Sequence, residues 1–283
     1  MAAGMQTDDA KRAFWGQQLD AAHRFMERVM TYPVDECGEP VVSLHEAAED
    51  AGVEVVFSAT MIAGGLGRHF VLREGLIPHF VGAARTLNAH GWVLKVEDGY
   101  RTREMQRNLG TADYVLDVIL GKVIWELGGE IPEPDFLFAR LMTLVATAPK
   151  IGTHMSGSAI DVSVLRAADG GEVDRGGPYV ELSEKTPMAS PFVSAEAAAN
   201  RAELTRLLGE HGFVAYPYEF WHYSQGDAYD EMLNDTGRPG RYGAVDVDVA
   251  TGTVTPIPDP TEPLHTPESF RQAMEAALGR SRG

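Results

Sequence analysis

Residues 153–164 read Thr-His-Met-Ser-Gly-Ser-Ala-Ile-Asp-Val-Ser-Val, a turn of small residues followed by an apolar segment whose β-branched residues predict a strand beginning at Ile160. His154 and Asp161 stand seven residues apart, so on one unbroken strand their side chains would point to opposite faces. The two side chains can meet only if the chain bends between them, and Gly157 permits that bend. The stretch therefore predicts a turn and a strand that bring an imidazole and a carboxylate to one point.

A second polar pair lies further along the chain, where residues 219–222 read Glu-Phe-Trp-His among several tyrosines. The two stretches together supply two imidazoles, one carboxylate suited to metal binding and one spare carboxylate. A hydrolytic zinc ion takes three ligands from His and Asp/Glu and leaves a fourth position for water, whose proton a nearby carboxylate accepts. Aromatic neighbours exclude water from Glu219, which raises the pKa of a carboxylate toward the range of a general base. The combination predicts a metallohydrolase.

Each half of this constellation also has a simpler interpretation. Asp161 stands between Ile160 and Val162, where a carboxylate is costly unless it is paired or bound to a metal, but it could instead be a surface residue of a half-exposed strand. Glu219 and His222 could face solvent from a buried aromatic strand. The other seven histidines have no partner pattern and are interpreted as structural or exposed.

Composition limits the classes of partner. The formal charge of −17, from 41 acidic and 24 basic residues, disfavours nucleic acid and anionic membranes because both repel a negative protein. Cys37 is the only cysteine, so an intrachain disulfide or a thiolate metal cluster is excluded and any metal must depend on His and carboxylates. No apolar run approaches membrane-spanning length, and the N-terminal residues do not resemble a signal peptide. We therefore expect a cytoplasmic protein whose partner is neither nucleic acid nor a membrane.

Residue patterns predict several helices and few strands. The expected helices cover Asp8 to Met30, a short segment after Ser43, Pro78 to Ala89, much of Arg103 to Ala146, Ser194 to His211 and Pro267 to Leu278. The expected extended segments are Val53 to Phe57, Trp92 to Glu97, Ile160 to Val164, Phe213 to Ser224 and a hairpin within Ala244 to Thr255. Without regular βαβ alternation the fold class is α+β, with a small antiparallel sheet that carries the zinc site, flanked by helices. We expect an N-terminal helical region over 1–90, a zinc peptidase core over 91–237 and a C-terminal extension over 238–283, all packed as one unit.

Three ordered blocks resemble the zinc D-alanyl-D-alanine dipeptidases of the vancomycin-resistance type, within the wider group of D-Ala-D-Ala metallopeptidases related to the hedgehog amino-terminal domain. The blocks are Asp98-Gly99-Tyr100-Arg101 with Gln106, Thr153-His154 through Gly157 and Ala159 to Asp161, and Glu219-Phe220-Trp221-His222. They span about residues 95–225, whereas the two terminal regions contribute little to the resemblance.

The resemblance implies a role for five residues. It implies that His154, Asp161 and His222 bind one Zn²⁺ ion, that Glu219 is the general base for the zinc-bound water, and that Arg101 stabilises the oxyanion. The expected reaction is hydrolysis of a small peptide, most simply a D,D-dipeptide such as D-Ala-D-Ala from peptidoglycan metabolism. No cofactor besides the metal is expected.

The sequence is compatible with more than one substrate and more than one metal. Pro187 stands where the resemblance places an Asp that binds the substrate's amino group, and Glu181 or Glu184 could replace that anchor. Another dipeptide, a cell-wall peptide or a small amide is the alternative substrate, and a zinc-binding interaction module is the alternative class of protein. Two imidazoles and a carboxylate also suit Fe(II). The sequence does not fix the oligomeric state.

Overall fold

Helices alternate with short strands in the computed structural model, which describes residues 7–62 and 65–281. The helices are α1 Asp8–Thr31, α2 Leu44–Ala51, α3 Ile77–Ala89, α4 Arg103–Thr111, α5 Asp113–Glu126, α6 Pro134–Leu144, α7 Ala195–Gly209, α8 Ala228–Leu233 and α9 Pro267–Ser281. The strands are β1 Val41–Ser43, β2 Val55–Phe57, β3 Val71–Arg73, β4 Trp92–Asp98, β5 Ala159–Arg166, β6 Val214–Ala215, β7 His222–Ser224, β8 Val245–Asp248 and β9 Thr253–Pro256. The predicted α+β class is confirmed.

Local sequence signals set several of the helix ends. The Ser43 hydroxyl accepts a hydrogen bond from the Glu46 amide at 3.3 Å, and Gly52 ends α2 with a φ of 60°. Ser194 begins α7 in the same way, by accepting from the Ala197 amide at 3.0 Å. These caps satisfy backbone donors that a helix terminus leaves free, so the predicted starts are close to the observed ones.

The long helical pattern from residue 103 to 146 divides into three helices. Gly128 and Gly129 take φ values of 70° and 103°, and α6 begins at Pro134, because proline suits the first turn of a helix. An additional break lies at Ala112, whose extended backbone separates α4 from α5. Gly110 lies two residues before this break, but the sequence pattern does not identify it as the end of a helix.

The central sheet has five strands in the order β2-β4-β5-β7-β6. The pairs β4–β5, β5–β7 and β6–β7 are antiparallel, as predicted, but β2 joins β4 in parallel and makes the sheet mixed. Two separate antiparallel ribbons are formed by β1 with β3 and by β8 with β9. The N-terminal region thus contributes a strand to the sheet that carries the site.

The segment from Phe213 to Ser224 differs from the extended strand that the sequence suggests. It forms a hairpin of β6 and β7 joined by residues 216–221, and within this turn the Glu219 amide donates to the Tyr216 carbonyl at 3.3 Å. Glu219 therefore lies in the turn, and only His222 belongs to a strand. Aromatic residues favour strands on average, but here they pack around a turn, which a strand propensity does not distinguish.

Two apolar layers lie on different parts of the molecule. Side chains of α3 and α7, including Phe80 and Leu204, pack against Val162 and Val164 of the sheet. A second cluster joins α5, α6 and α9 through residues such as Ile119 and Leu141. The helical layer and the sheet both contribute to the cavity described below.

None of the helices in the described ranges is long and apolar enough to cross a membrane. The expected division into an N-terminal region, a core and a C-terminal extension stays a prediction, as does the cytoplasmic location.

Gly157 is required for the bend before β5. It follows the 3₁₀ turn Thr153–Ser156 with a φ of 69°, and an added Cβ would lie 3.3 Å from the Val41 side chain. We expect Gly157→Ala to lower the free energy of unfolding by about 1–2 kcal/mol, because side chains disfavour the left-handed region. Denaturant unfolding would measure the change.

Gly121→Ala is the matched control, since Gly121 lies inside α5 with open space around its Cα. This change should raise stability by up to ~1 kcal/mol through helix propensity. Equal effects of the two substitutions would contradict the role given to Gly157.

Candidate metal centre and its cavity

Strand register sets three functional side chains in one row across the sheet. Asp161 of β5 is paired with Asp98 of β4 on one side and with His222 of β7 on the other. A register shift between Val96 and Asp98 precedes the row, which is typical of a β-bulge that re-aims side chains near a site. The row places both carboxylates and one imidazole side by side.

His154 reaches this row from the 3₁₀ turn. Its Nδ1 is 2.7 Å from the Gly99 carbonyl oxygen, which can only accept, so the ring proton is on Nδ1. The other nitrogen, Nε2, is 3.1 Å from Asp161 Oδ1. The bend at Gly157 thus lets the side chains at 154 and 161 meet, as the sequence predicts.

His222 approaches the same carboxylate oxygen through Nδ1, whereas His154 approaches it through Nε2. Its Nδ1 is 2.9 Å from Asp161 Oδ1, and its Nε2 is 2.8 Å from the Thr153 hydroxyl. If Nδ1 is a metal ligand, the ring proton is on Nε2 and is donated to Thr153. Such partners fix the orientation and tautomer of metal-binding histidines.

His154, Asp161 and His222 fit a metal ion. Each offers one ligand atom, the three atoms lie within 4.8 Å of one another, and all three residues are buried. It is the one such group of three among the residues that the structure describes. Two imidazoles and a carboxylate are a ligand set of catalytic zinc sites. The predicted metal ligands therefore come together, and the cluster could bind Zn²⁺.

Asp161 is a charged group in a buried setting. Burial alone would raise its pKa, but His154 and His222 together hold the pKa well below the ordinary value. Its second oxygen, Oδ2, accepts a hydrogen bond from the Tyr179 hydroxyl at 2.9 Å. Burial and the nearby carboxylates of Asp161 and Asp98 raise the pKa of Tyr179 well above its ordinary value, so this hydroxyl keeps its proton and remains a donor.

Glu219 lines the same cavity from the hairpin turn. Desolvation raises its pKa to about 7, against an opposing effect of His222, and Asp161 adds to the increase. A carboxyl group with a pKa near neutrality can both accept and donate a proton at physiological pH. This is the environment that the aromatic sequence around it suggests.

Arg101 lies beside the cluster and is held by two carboxylates. Its Nε is 2.8 Å from Asp98 Oδ2, and its Nη2 is 3.3 Å from Asp161 Oδ2. Desolvation opposes its charge, but Asp98 and Asp161 raise the pKa of the guanidinium above its ordinary value. A second guanidinium, that of Arg68, contacts Asp98 Oδ2 at 2.8 Å. Two cations thus share one buried carboxylate at the cavity wall.

All five predicted site residues line one cavity of about 480 Å³. Its polar side is formed by the cluster residues with Arg68, Arg101 and Glu219, and its other side is apolar. Glu181 and Glu184, the candidate replacements for an amine anchor, are not among its lining residues. Glu184 instead pairs with Lys11 at 3.4 Å.

Sequence reasoning missed Tyr179 and Arg68. Tyr179 lies in the loop after β5, and Arg68 lies in the segment before β3, where neither residue has a motif around it. Both contact carboxylates that the sequence did single out. A search for partners of a buried Asp could have suggested them, but only the fold identifies which of several candidates is near.

Residues 132–238 match the family model described as D-ala-D-ala dipeptidase, Peptidase_M15. This segment contains all three cluster residues and Glu219, whereas Arg101 precedes it. The chain is similar to the D-alanyl-D-alanine dipeptidase of Synechocystis sp., with 25% identity over 248 residues that make up 77% of this chain and 96% of that protein. The D-alanyl-D-alanine dipeptidase of Enterococcus faecium is 35% identical over 90 residues, 32% of this chain, and the match spans only 41% of that protein.

Among solved structures, the vancomycin resistance D,D-pentapeptidase VanY in complex with Zn(II) is similar with a TM-score of 0.37 and 16% identity, over 75% of this chain and 94% of that chain. The LdcB LD-carboxypeptidase has the same TM-score and identity, over 80% of this chain and 84% of that chain. The sequence matches confirm the resemblance read from the three blocks and the prediction that the chain is a peptidase.

Thr153→Val tests how the hydroxyl orients His222. The substitution removes the acceptor for the Nε2 proton and keeps the side-chain shape, so we expect Zn²⁺ affinity to fall by about 10–100-fold. Competition with a coloured chelator would measure it. Thr205→Val, which removes a 3.1 Å hydroxyl contact with Tyr223 outside the cavity, should leave the affinity unchanged. Equal affinities of the Thr153 variant and the unaltered protein would count against this role.

Proposed function

Because the chain is a peptidase whose buried cluster lies within a segment similar to D-Ala-D-Ala dipeptidases, we propose that it hydrolyses a small peptide with one Zn²⁺ ion bound by His154, Asp161 and His222. A D,D-dipeptide such as D-Ala-D-Ala is the substrate that the relatives' names suggest. The observation that carries the proposal is the common cavity, in which a proton acceptor and a guanidinium flank the three ligands.

The ion would supply a Lewis acid that acidifies water and polarises a carbonyl group. Glu219 is the proton carrier: its carboxylate takes a proton from the attacking water and returns it to the nitrogen of the leaving amine. A group that performs both transfers works best when its pKa is near the working pH. The desolvated position of Glu219 supports this role.

Arg101 would stabilise the oxygen of the scissile carbonyl as negative charge develops on it. The guanidinium is fixed by Asp98 and Asp161 before the substrate binds, so little reorganisation is needed during the reaction. Tyr179 and the two histidines hold Asp161 in turn. The arrangement supports hydrolysis better than a binding module, which needs neither a proton carrier nor a fixed cation.

The first experiment measures amino-acid release by the zinc-loaded protein from matched D,D-, L,D- and L,L-dipeptides with N-blocked versions alongside. We expect release from at least one D,D-peptide, its loss on chelation and its return with Zn²⁺. Reconstitution with Fe(II) tests the other metal that this ligand set suits. Failure to cleave any member would refute the proposed peptide substrate.

Glu219→Gln should keep the metal and lower kcat by at least about 100-fold, because the amide cannot accept the proton. Metal content and single-turnover rates would be measured together. Glu184→Gln is the control, since Glu184 is a buried glutamate that lies outside the cavity. A Glu219 variant with full activity would be incompatible with the proposed mechanism.

Arg101→Lys should lower kcat by about 10²–10³-fold, as loss of an oxyanion donor does. A lysine keeps the charge but cannot contact Asp98 and the substrate oxygen with the same fork geometry. Arg107→Lys on the exposed side of α4 is the control. If Arg101→Lys changed KM alone, the residue would bind substrate uniformly and not stabilise the transition state.

A further inference from the structure

Exposed apolar side chains concentrate at the mouth of the cavity. Eight large hydrophobic residues are exposed in the described part of the chain, and four of them line this cavity. The four are Met61, Tyr114, Val118 and Val180, with exposed fractions of 68%, 57%, 50% and 52%; we name them the apolar rim. Contiguous apolar patches beside a pocket are typical of ligand-binding surfaces, whereas scattered ones need no explanation.

The rim continues inward as a wall of the helical layer. Val115 and Ile119 of α5, Leu144 at the end of α6, and Val145 and Leu182 line the cavity and also pack against the α5–α6–α9 cluster. These five residues are the apolar wall. Because the wall belongs to the helical cluster and the metal ligands belong to the sheet and its turns, the cavity has a chemical side and an apolar side.

No described residue on the apolar side of the cavity carries a charge. Among the described residues that line the cavity, the only carboxylates are Asp161 and Glu219, and the only guanidiniums are Arg68 and Arg101. Asp161 is already engaged by the imidazoles, Arg101 and Tyr179. A free ammonium on the apolar side would lose part of its hydration without gaining a carboxylate partner, which is costly. The lining of this side therefore suits an uncharged group better than a charged one.

The size of the cavity exceeds what an alanine methyl group fills. Pockets of about 300–1,000 Å³ enclose drug-sized ligands, and the volume here, about 480 Å³, lies within that range. Each further methylene that is buried on the wall would strengthen binding by about 4-fold. A substrate with only methyl side chains would bury less of this apolar surface than a substrate with a larger apolar group.

The backbone conformation and the contacts of the loop at the cavity mouth hold Val180 in place. Val180 has a φ of 62°, a conformation that is rare and costly for a β-branched residue. Its neighbour Tyr179 is bonded to Asp161 and packs edge-on against Trp221 at 5.9 Å, while Leu182 packs against the helical cluster. The loop is therefore tied to both sides of the cavity, and it holds Val180 at the rim.

We propose that the substrate carries a bulky uncharged apolar group, either a side chain or an N-acyl group, that lies on the apolar rim and wall while its amide bond reaches the metal cluster. This inference rests on the proposed function and specifies its substrate class. The peptidase accordingly discriminates by apolar size and requires no free amino group on that side.

Kinetics with four peptides tests the inference and separates the two sources of the apolar group. The zinc-loaded protein is assayed with D-Ala-D-Ala, D-Leu-D-Ala, D-Ala-D-Leu and N-hexanoyl-D-Ala-D-Ala. At least one bulky peptide should exceed D-Ala-D-Ala in kcat/KM by about 10-fold or more, as apolar pockets do for added methylenes. The member that is preferred identifies a side chain or an acyl group as the occupant. Equal or faster cleavage of D-Ala-D-Ala would overturn the inference.

Val118→Glu tests the rim itself. A carboxylate there should lower kcat/KM for the preferred bulky peptide about 10-fold more than kcat/KM for D-Ala-D-Ala, so that the preference for the bulky peptide is lost. Ile131→Glu is the matched control, since Ile131 has a similar exposed fraction of 45% and does not line the cavity. An equal loss for all peptides, or the same loss in the control, would overturn the assignment of the rim.

Binding by the Glu219→Gln protein distinguishes failure of this inference from failure of the proposed function. Calorimetry should give tighter binding of the bulky peptide, with a negative heat-capacity change and a dependence on Val118. Selective binding without hydrolysis by the unaltered protein would refute the proposed reaction and leave the apolar site standing. Hydrolysis by the unaltered protein without selective binding of the bulky peptide would refute the apolar site and leave the proposed reaction standing.

Discussion

The pairing register of β4, β5 and β7 is the constraint on which the site depends. It fixes Asp98, Asp161 and His222 as neighbours across the sheet. The Asp98 carboxylate then contacts two guanidiniums, and the Asp161 carboxylate contacts two imidazoles. A slip of one residue would turn each of these side chains to the other face of the sheet. Apolar neighbours such as Val162 and Val164, which pack on α3 and α7, oppose that slip because it would expose them.

Most of the polar contacts within the site are made to Asp161. Four side chains contact its two oxygens: both imidazoles on Oδ1, and Arg101 and Tyr179 on Oδ2. A buried carboxylate is tolerated only when its charge is compensated. The compensating groups come from a turn, a strand, a loop and the segment that follows β4. The carboxylate therefore ties together elements that are far apart in the sequence.

The sequence was most informative where local geometry and chemistry coincide. The capping serines, the positive-φ Gly157 and the two motifs around His154 and His222 act over a few residues, so they could be read directly. The parallel pairing of β2 and the turn that carries Glu219 could not, because both depend on tertiary contacts. Tyr179 and Arg68, which contact Asp161 and Asp98, were not predicted for the same reason. The assignment of Arg101 came from resemblance, since by pattern alone it is one arginine among several.

The division of the cavity between two layers has a consequence for how such a protein can diverge. The ligands and Arg101 belong to the sheet and its adjoining turns, whereas Val115, Ile119 and Leu144 belong to helices that pack mainly on one another. Substitutions in those helices can reshape one half of the chamber without moving a ligand atom. Substrate selectivity can therefore change during evolution while the reaction centre stays the same. Sequence similarity in the motif segments is then a poor guide to the substrate.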